Sequence, residues 1–160
     1  MRILVTLLLV AIIGCQHSDS DQELSPLVGQ WITESCDQVS NHWTKAIYEF
    51  TAQGTIRLGN ELYSDSNCIV LVTALPPEES IAVPMTYQDH GPRLLQEGID
   101  GRSISIQMGK NDQIASADAF YTINNGSLCF SDSITLEAVT FGVAQSGGDA
   151  IDFDNCLTRP

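Results

Sequence analysis

Five cysteines are the most reactive side chains of this sequence, and their spacing limits what they can do. A thiolate can act as a nucleophile, bind zinc or enter a disulfide. Cysteine-based zinc sites usually contain a C-x-x-C pair, and the sequence has none. Cys15 ends an apolar run near the N-terminus, and four cysteines are spread over the remaining chain: Cys36, Cys68, Cys129 and Cys156. The spacing of these four favours disulfides over a metal site or a nucleophile.

Histidines and serines give no sign of a catalytic set. His17 lies in a polar stretch, His42 and His90 lie in predicted loops, and no second histidine stands at ligand spacing from any of them. The sequence contains no G-x-S-x-G motif, no recognisable Ser/His/Asp set and no glycine-rich phosphate loop. We therefore predict a protein that is not an enzyme and that needs no cofactor.

Aspartates near the C-terminus form the densest group of oxygen ligands. Asp149, Asp152 and Asp154 follow Gly147-Gly148, which could bend the backbone to supply carbonyl oxygens. Calcium takes six to eight oxygens, but the spacing does not fit an EF-hand loop. Asp152 and Asp154 also alternate with apolar residues, as on a solvent-facing strand. The three aspartates are weak calcium candidates, and no metal site is predicted.

Residues 1–14 have the composition of a signal peptide. Arg2 gives a positive start, and Ile3 to Ile13 are apolar or small apart from Thr6. This run is well short of the roughly 20 residues of a membrane-spanning helix. Polar residues follow at once. The predicted organisation is a removed signal peptide (1–14), a tether (15–26) and one domain (27–160).

Ile12-Ile13-Gly14-Cys15 resembles the lipobox of bacterial lipoproteins. The resemblance implies that Cys15 receives a diacylglycerol on sulfur, becomes the N-terminus after cleavage and is then acylated on its amine by a fatty acid such as palmitate. Several acyl chains anchor a protein stably in a membrane, whereas a single chain gives only marginal, reversible binding. Gln16, in place of Asp, resembles the lipoproteins sorted to the outer membrane. The implied location is the bacterial cell envelope, lipid-anchored in the outer membrane.

Export would place the other four cysteines in an oxidising compartment, where an even number favours disulfides. Four cysteines allow three pairings. We favour Cys36–Cys68 with Cys129–Cys156, because each bond would close one half of the chain. Closing a loop of about 33 residues contributes about 3–4 kcal/mol in the chain-entropy model.

The chain is strongly acidic, with 7 Lys+Arg against 20 Asp+Glu and a net charge of −13. Loss of Arg2 with the signal peptide brings the net charge to −14. Such a surface repels nucleic acid and anionic lipid headgroups, so we expect no nucleic-acid partner. The exported part, about 145 residues, suits one domain with a single core.

Short strand-like segments separated by turn residues recur through the domain. Ser103–Met108 alternates with Ile104, Ile106 and Met108 facing inward, and Asn124-Asn125-Gly126 predicts a hairpin between two strands. Sustained helical periodicity is absent. The pattern predicts an all-β fold, a single antiparallel β-barrel or sandwich of about eight strands.

Several segments carry more specific expectations. Ile69–Val72 is a continuous apolar run and predicts a buried strand, which Pro76-Pro77 interrupts. Pro84 predicts an edge or bulged position for the next strand, and His90-Gly91-Pro92 predicts a loop. Ile134–Ala144 fits either a strand or a short helix. Trp43, beside His42, is a candidate exposed contact or pocket-mouth residue, with core packing favoured.

Gly29-Gln30-Trp31 opens the first predicted strand and resembles the G-x-W signature of lipocalins and related calycin barrels. In that family the tryptophan closes the bottom of an up-and-down barrel. Trp31 and Cys36, together with Tyr63–Cys68, also resemble small envelope lipoproteins with a lipocalin-like domain. The chain departs from the family in showing no clear late helix, and only Arg159 could stack on the tryptophan. Gly29 and Trp31 are therefore structural candidates, and no ligand-binding residue carries over.

The sequence thus predicts a membrane-anchored envelope lipoprotein that acts as a non-enzymatic binding module. The lipocalin resemblance implies that a small apolar ligand could enter the barrel. The alternative is a protein–protein adaptor or structural component of an outer-membrane complex. An interior cavity would favour the carrier, and a filled interior with an apolar outer patch would favour the adaptor.

Overall fold

The computed structural model describes residues 24–79, 84–110, 113–131 and 148–160. The described residues form strands and one short 3₁₀ turn, Gln96–Gly98. The strands are β1 (Gly29–Thr33), β2 (Asp37–Val39), β3 (His42–Phe50), β4 (Thr55–Tyr63), β5 (Leu71–Glu78), β6 (Met85–Leu94), β7 (Asp100–Lys110), β8 (Gln113–Asn124), β9 (Ser127–Phe130) and β10 (Leu157–Thr158).

Eight of these strands close into an antiparallel barrel. Around the barrel the order is β1, β3, β4, β6, β7, β8, β9 and β10, and β10 pairs with β1 to complete the circle. Each strand lies beside the next one along the chain once β2 and β5 are set aside. The predicted all-β fold is confirmed, and of the two predicted architectures the barrel is the one observed.

The barrel interior is filled by the inward-facing side chains of alternate strand positions. Phe50 lies at the centre of an aromatic group, with ring centroids 5.2 Å from Tyr87 and 6.5 Å from Phe130. The predicted inward row of β7 is confirmed. The buried cluster comprises Leu27, Trp31, Tyr48, Phe50, Ile56, Met85, Ile104, Ile106, Met108, Ala117, Ala119, Tyr121, Leu128, Phe130 and Leu157.

Trp31 is only 1% exposed and lies near the start of β1; this end of the barrel is here called the tryptophan end. Its indole Nε1 donates a hydrogen bond of 2.7 Å to the Leu27 carbonyl oxygen. The Arg159 guanidinium carbon lies 3.8 Å from the ring centroid of Trp31, a close cation–π contact. The one basic residue that the sequence offered for this position therefore occupies it.

Arg159 also ties the C-terminus to the N-terminal segment. Its guanidinium donates hydrogen bonds of 3.2–3.4 Å to the carbonyl oxygens of Pro26, Val28 and Gln30. Gly29 makes this approach possible, since a Cβ at residue 29 would lie 2.1 Å from Arg159 Nη1, and the φ of Gly29 is +122°.

Two disulfides link the strand connections, in the predicted pairing. Cys36–Cys68 joins the connection after β1 to the connection between β4 and β5, with a Cα–Cα distance of 5.9 Å. Cys129–Cys156 joins β9 to the segment just before β10.

Two predictions for residues 69–77 are wrong: that Ile69–Val72 is a buried strand, and that Pro76-Pro77 interrupts it. The strand β5 starts at Leu71, its side chains are almost all exposed, and Pro76 and Pro77 lie inside it. A continuous apolar run suits a strand that is buried on both faces, but β5 lies outside the barrel wall. Proline fits there because an edge strand leaves alternate N–H groups unpaired.

Two predicted loops lie within strands, and a predicted edge strand is paired on both sides. His42 and Trp43 begin β3, and His90-Gly91-Pro92 lies within β6. A bulge between Asp89 and Gly91, where Gly91 has a φ of +96°, lets β6 continue through this sequence. Pro84 precedes β6, which is not an edge strand, since it pairs with both β4 and β7.

The predicted segment Ile134–Ala144, and with it the question of a late helix, lies outside the described residues. The alternation expected at residues 151–154 does not form a strand. Ile151 makes an isolated bridge to Ser131, and Phe153 is 54% exposed.

Gly29→Ala should lower the free energy of unfolding by about 2 kcal/mol, because the new Cβ meets Arg159 and the backbone conformation disfavours L side chains. Urea unfolding of the two proteins measures the difference. Gly148→Ala is the matched control, since a Cβ there meets nothing within 4 Å. Equal midpoints for the two variants would contradict this role of Gly29.

Candidate functional site

The strand β4 belongs to the barrel wall at its start and to a second, open sheet at its end. Among the described residues, it pairs with β6 only through Thr55 and Ile56. Beyond Ile56 its free side is taken by β5, which pairs with residues 58–63. The start of β3 and the short β2 complete an open four-stranded sheet, here called the extension: residues 37–39, 42–46, 58–63 and 71–78.

The outer strand of the extension presents an apolar surface to solvent. Residues 69–75, here called the apolar segment, read Ile-Val-Leu-Val-Thr-Ala-Leu. The exposed fractions of its large residues are 75% for Ile69, 56% for Val70, 51% for Leu71, 55% for Val72 and 50% for Leu75. An exposed apolar edge strand is a site for pairing with another chain, so natural proteins normally cover or charge it.

The apolar segment is also free of charge. Residues 66–77 contain no acidic or basic side chain, although the chain carries 20 Asp+Glu and 7 Lys+Arg. Both the composition and the exposure of this segment therefore set it apart from the acidic surface around it. Contiguous exposed apolar patches of this kind mark interaction sites.

The turn before β5 is held by one carboxylate and one disulfide. Asp65 accepts hydrogen bonds from the amides of Asn67 (3.0 Å), Ile69 (3.1 Å) and Val70 (2.6 Å). These bonds, that of Val70 first, hold the pKa of Asp65 below its ordinary value. Cys68, bonded to Cys36, has a φ of +52° in this turn. The apolar segment therefore follows a turn that is held by the Asp65 carboxylate at its start and by the Cys36–Cys68 disulfide further on.

Close contact between β4 and β5 depends on Gly59. A Cβ at residue 59 would lie 2.6 Å from the Leu75 carbonyl oxygen and 2.8 Å from the Pro77 nitrogen. The register shifts at this point, and again between Leu62 and Tyr63, where Val72 is the extra residue of β5. Val72 has no partner in β4, so its side chain can be changed without altering the ladder.

One face of the extension carries an aromatic row beside β5. Trp43 is opposite Tyr63, which is in turn opposite Leu71. The Tyr63 hydroxyl donates a short hydrogen bond to the Glu61 carboxylate, which raises the pKa of Tyr63 to about 12. Trp43 is half-buried and lies outside the barrel cluster, with Tyr63 between it and Leu71 of the apolar segment.

A polar cluster centred on Asp89 lies inside the barrel near the tryptophan end. Asp89 accepts hydrogen bonds from Ser25 Oγ (2.5 Å), the Tyr121 hydroxyl (2.8 Å), the Gly91 amide (2.9 Å) and Arg102 Nε (3.0 Å). Burial alone would raise the pKa of Asp89, but these bonds outweigh it and the pKa lies below its ordinary value. All acceptor positions of Asp89 are used, so this cluster fixes the N-terminal segment to the barrel.

This cluster was not predicted from the sequence, because His90-Gly91-Pro92 is typical of a loop. Asp89 and Arg102 occupy inward positions of β6 and β7, in phase with Tyr87 and Ile104. The alternation of Asp89 and Arg102 with core residues of the same strands was the sequence signal that could have indicated a buried polar cluster. A cleft of about 390 Å³ lies beside the cluster, between Leu24–Val28, the Ala52–Gly54 turn and β6.

A third group lies on the outer wall across β6, β7 and β8. His90 Nε2 is 2.7 Å from Ser105 Oγ, which donates a hydrogen bond of 2.6 Å to Asp118 Oδ1. The serine is the central member, whereas in a hydrolase triad the histidine lies between serine and carboxylate. The proton of Ser105 is therefore directed at Asp118 and away from His90. This group could not be predicted from the sequence, since its members are distant from one another along the chain.

The remaining candidates are not brought together. Asp152 accepts hydrogen bonds from the Asp154 amide (2.9 Å) and from Asn155 Nδ2 (2.6 Å), and so caps a local turn. Within the described ranges, no three acidic, histidine or cysteine side chains are placed to hold a metal ion. His42 is exposed on β3, and His17 and Cys15 lie outside the described residues.

Comparisons with known proteins add no relative. No family model, no curated protein and no solved structure matches the chain. Over the residues that the structure describes, no helix is long and apolar enough to cross a membrane.

Asp89→Asn should lower the free energy of unfolding at pH 7 by about 2 kcal/mol, because it removes the charge that pairs with Arg102. The folded-state pKa of Asp89 is lowered, so its contribution is present at neutral pH and lost as the pH falls through that pKa. Urea unfolding should therefore show a deficit that shrinks toward pH 2. A pH-independent deficit, or one matched by the exposed control Asp118→Asn, would contradict this account.

Proposed function

We propose that this chain is a lipid-anchored protein of the bacterial cell envelope whose barrel is a non-enzymatic binding module. The module docks a protein partner through the apolar segment. The observation that carries the proposal is this uncharged edge strand, exposed over residues 69–75 and fixed by the Asp65 turn and the Cys36–Cys68 disulfide. A fixed surface loses little entropy on binding, which favours recognition.

The anchoring part of the proposal rests on the N-terminal sequence. Ile3–Ile13 followed by Gly14-Cys15 has the form of a signal peptide with a lipobox. The chain enters the barrel at the tryptophan end, where Leu24 lies beside the Ala52–Gly54 turn. The apolar segment begins at the other end of β4, which its nine residues place about 26 Å away. An anchor at the tryptophan end thus leaves the segment uncovered.

The packed interior favours docking over carriage of a ligand. An apolar ligand inside the barrel would have to displace Phe50, Tyr121 and Phe130, since the rings of Phe50 and Tyr121 both pack against that of Phe130. The exposed apolar surface lies outside the barrel. A filled interior with an apolar outer patch is the combination expected of an adaptor.

The two polar groups, around Asp89 and around Ser105, do not favour a catalytic function. Asp89 is saturated by four donors, and Ser105 is polarised toward Asp118 without an intervening histidine. Neither arrangement has the order of a hydrolase triad, in which a histidine lies between the serine and the carboxylate.

The anchor is tested by the intact mass of the protein extracted from membranes. We expect a chain that begins at Cys15 and carries a diacylglycerol and an amide-linked acyl chain. Cys15→Ser should keep residues 1–14 and lack these additions. Wild-type protein that retains the signal peptide, or has a free Cys15 thiol, would overturn the anchoring proposal.

Docking is tested by a photo-cross-linking amino acid placed at residue 72 in cells. Val72 is exposed and unpaired with β4, so the substitution should leave the fold intact and give a cross-linked protein product. Ser116, exposed on β8, is the control position and should give none. Absence of a product at residue 72, or the same product at both positions, would contradict docking through the apolar segment.

A further inference from the structure

The outer side of β5 is an unpaired strand edge of defined length. β5 pairs with β4 on one side and with no other strand among the described residues. On the N-terminal side the edge starts after the Asp65 turn, in which the Ser64 amide bonds to the Val70 carbonyl oxygen. On the C-terminal side it ends at Pro76 and Pro77, which have no N–H to donate. The stretch able to pair is therefore residues 71–75.

This stretch can pair with an identical copy without opposing any charges. Residues 71–75 read Leu-Val-Thr-Ala-Leu, with Thr73 at the centre. Antiparallel pairing with an identical stretch, centred on Thr73, places Thr73 opposite Thr73 between uncharged residues, while the register shift at Val72 puts Leu71 on the other face of the sheet from Thr73 and Leu75. A central Thr–Thr pair is favourable in antiparallel sheets. A two-fold axis through the Thr73 pair relates the two copies, as in most homodimers.

The charge distribution of the chain is also compatible with pairing between two copies through this stretch. Two chains of net charge −13 repel one another over most of their surfaces. Residues 66–77 carry no charged side chain, so pairing at residues 71–75 opposes no carboxylates. The approach that uses this stretch avoids like-charge pairs.

We infer that the partner of the apolar segment is a second copy of this chain, joined by antiparallel pairing of the two β5 strands at residues 71–75. The inference rests on the proposed docking function and names its partner. The two four-stranded extensions become one continuous eight-stranded sheet. The free edge and the exposed leucines are covered in the same step.

Antiparallel pairing directs the two tryptophan ends away from each other. Each N-terminal stretch of residues 15–23 spans up to about 30 Å when extended. That reach allows both Cys15 residues to enter one bilayer lying alongside the dimer. Confinement to a membrane raises the effective concentration, so a short interface suffices.

The test is a charge exchange at the two-fold axis, with two differently tagged full-length copies expressed in one cell. Thr73 lies opposite itself, so Thr73→Glu on both copies opposes two carboxylates, and Thr73→Lys on both opposes two ammonium groups. Each of these pairs should co-purify at least tenfold less than wild type. A Thr73→Glu copy with a Thr73→Lys copy should recover wild-type co-purification.

The same exchange at Ser116 is the matched control and should leave co-purification unchanged in all combinations. Circular dichroism of each Thr73 variant should match wild type, since Thr73 is exposed. The cross-linked product from residue 72 should have twice the mass of the chain.

Different failures separate the two proposals. A residue 72 product of another mass, with co-purification insensitive to Thr73, would overturn the dimer and leave docking of a different protein in place. No product at residue 72 would overturn both. Unfolding of the Thr73→Glu and Thr73→Lys variants would show that the segment is covered within the chain, and would also overturn the dimer.

Discussion

The short pairing between β4 and β6 is the constraint on which the functional part of this structure depends. In the part of the chain that the structure describes, only Thr55 and Ile56 of β4 pair with β6, and the rest of β4 leaves the barrel wall. Its backbone groups must still find partners, and β5 supplies them from residue 58 onward. The barrel therefore closes at the start of β4 and carries an open sheet at the end of the same strand. A full-length β4–β6 ladder would have left no place for β5 and no exposed apolar edge.

The two ends of the molecule are stabilised by different interactions. At the tryptophan end, stacking of Arg159 on Trp31 and the hydrogen bond from Ser25 to Asp89 hold residues 159 and 25 against a packed core. At the extension, few side chains are buried, and rigidity comes from the Cys36–Cys68 disulfide and the Asp65 turn. A disulfide is effective here because it does not depend on burial. The extension can thus present apolar side chains to a partner without a core of its own.

Much of the barrel could be predicted from the sequence, because its signals are local. The alternation of Ser103–Met108 identified an inward row of β7, and Asn125-Gly126 identified the hairpin between β8 and β9. The disulfide pairing followed from the even division of the chain. Gly29 and Trp31 were identified as structural residues, and Arg159 was noted as the one basic residue available to stack on the tryptophan.

The candidate site was not predictable in the same way. An apolar run such as Ile69–Val72 indicates a strand but not whether another element covers it, and here the β4–β6 stagger leaves it exposed. Asp89, Arg102 and Tyr121 come from three strands and meet only when the barrel closes. The strand β6, which aligns Asp89 with the other two residues, was not predicted through residues 90–92, because His-Gly-Pro is typical of a loop. The bulge between Asp89 and Gly91 lets the strand continue through this sequence.

Amide hydrogen exchange of residues 69–75 tests the central claim most directly, because it reports whether this segment is covered. The full chain is measured in its native membrane and again after extraction and dilution in mild detergent. We predict that the amides of residues 71–75 exchange slowly in the membrane and much faster on dilution, while those of β7 and β8 stay equally protected. Equal exchange of residues 71–75 in both states would contradict docking through the apolar segment.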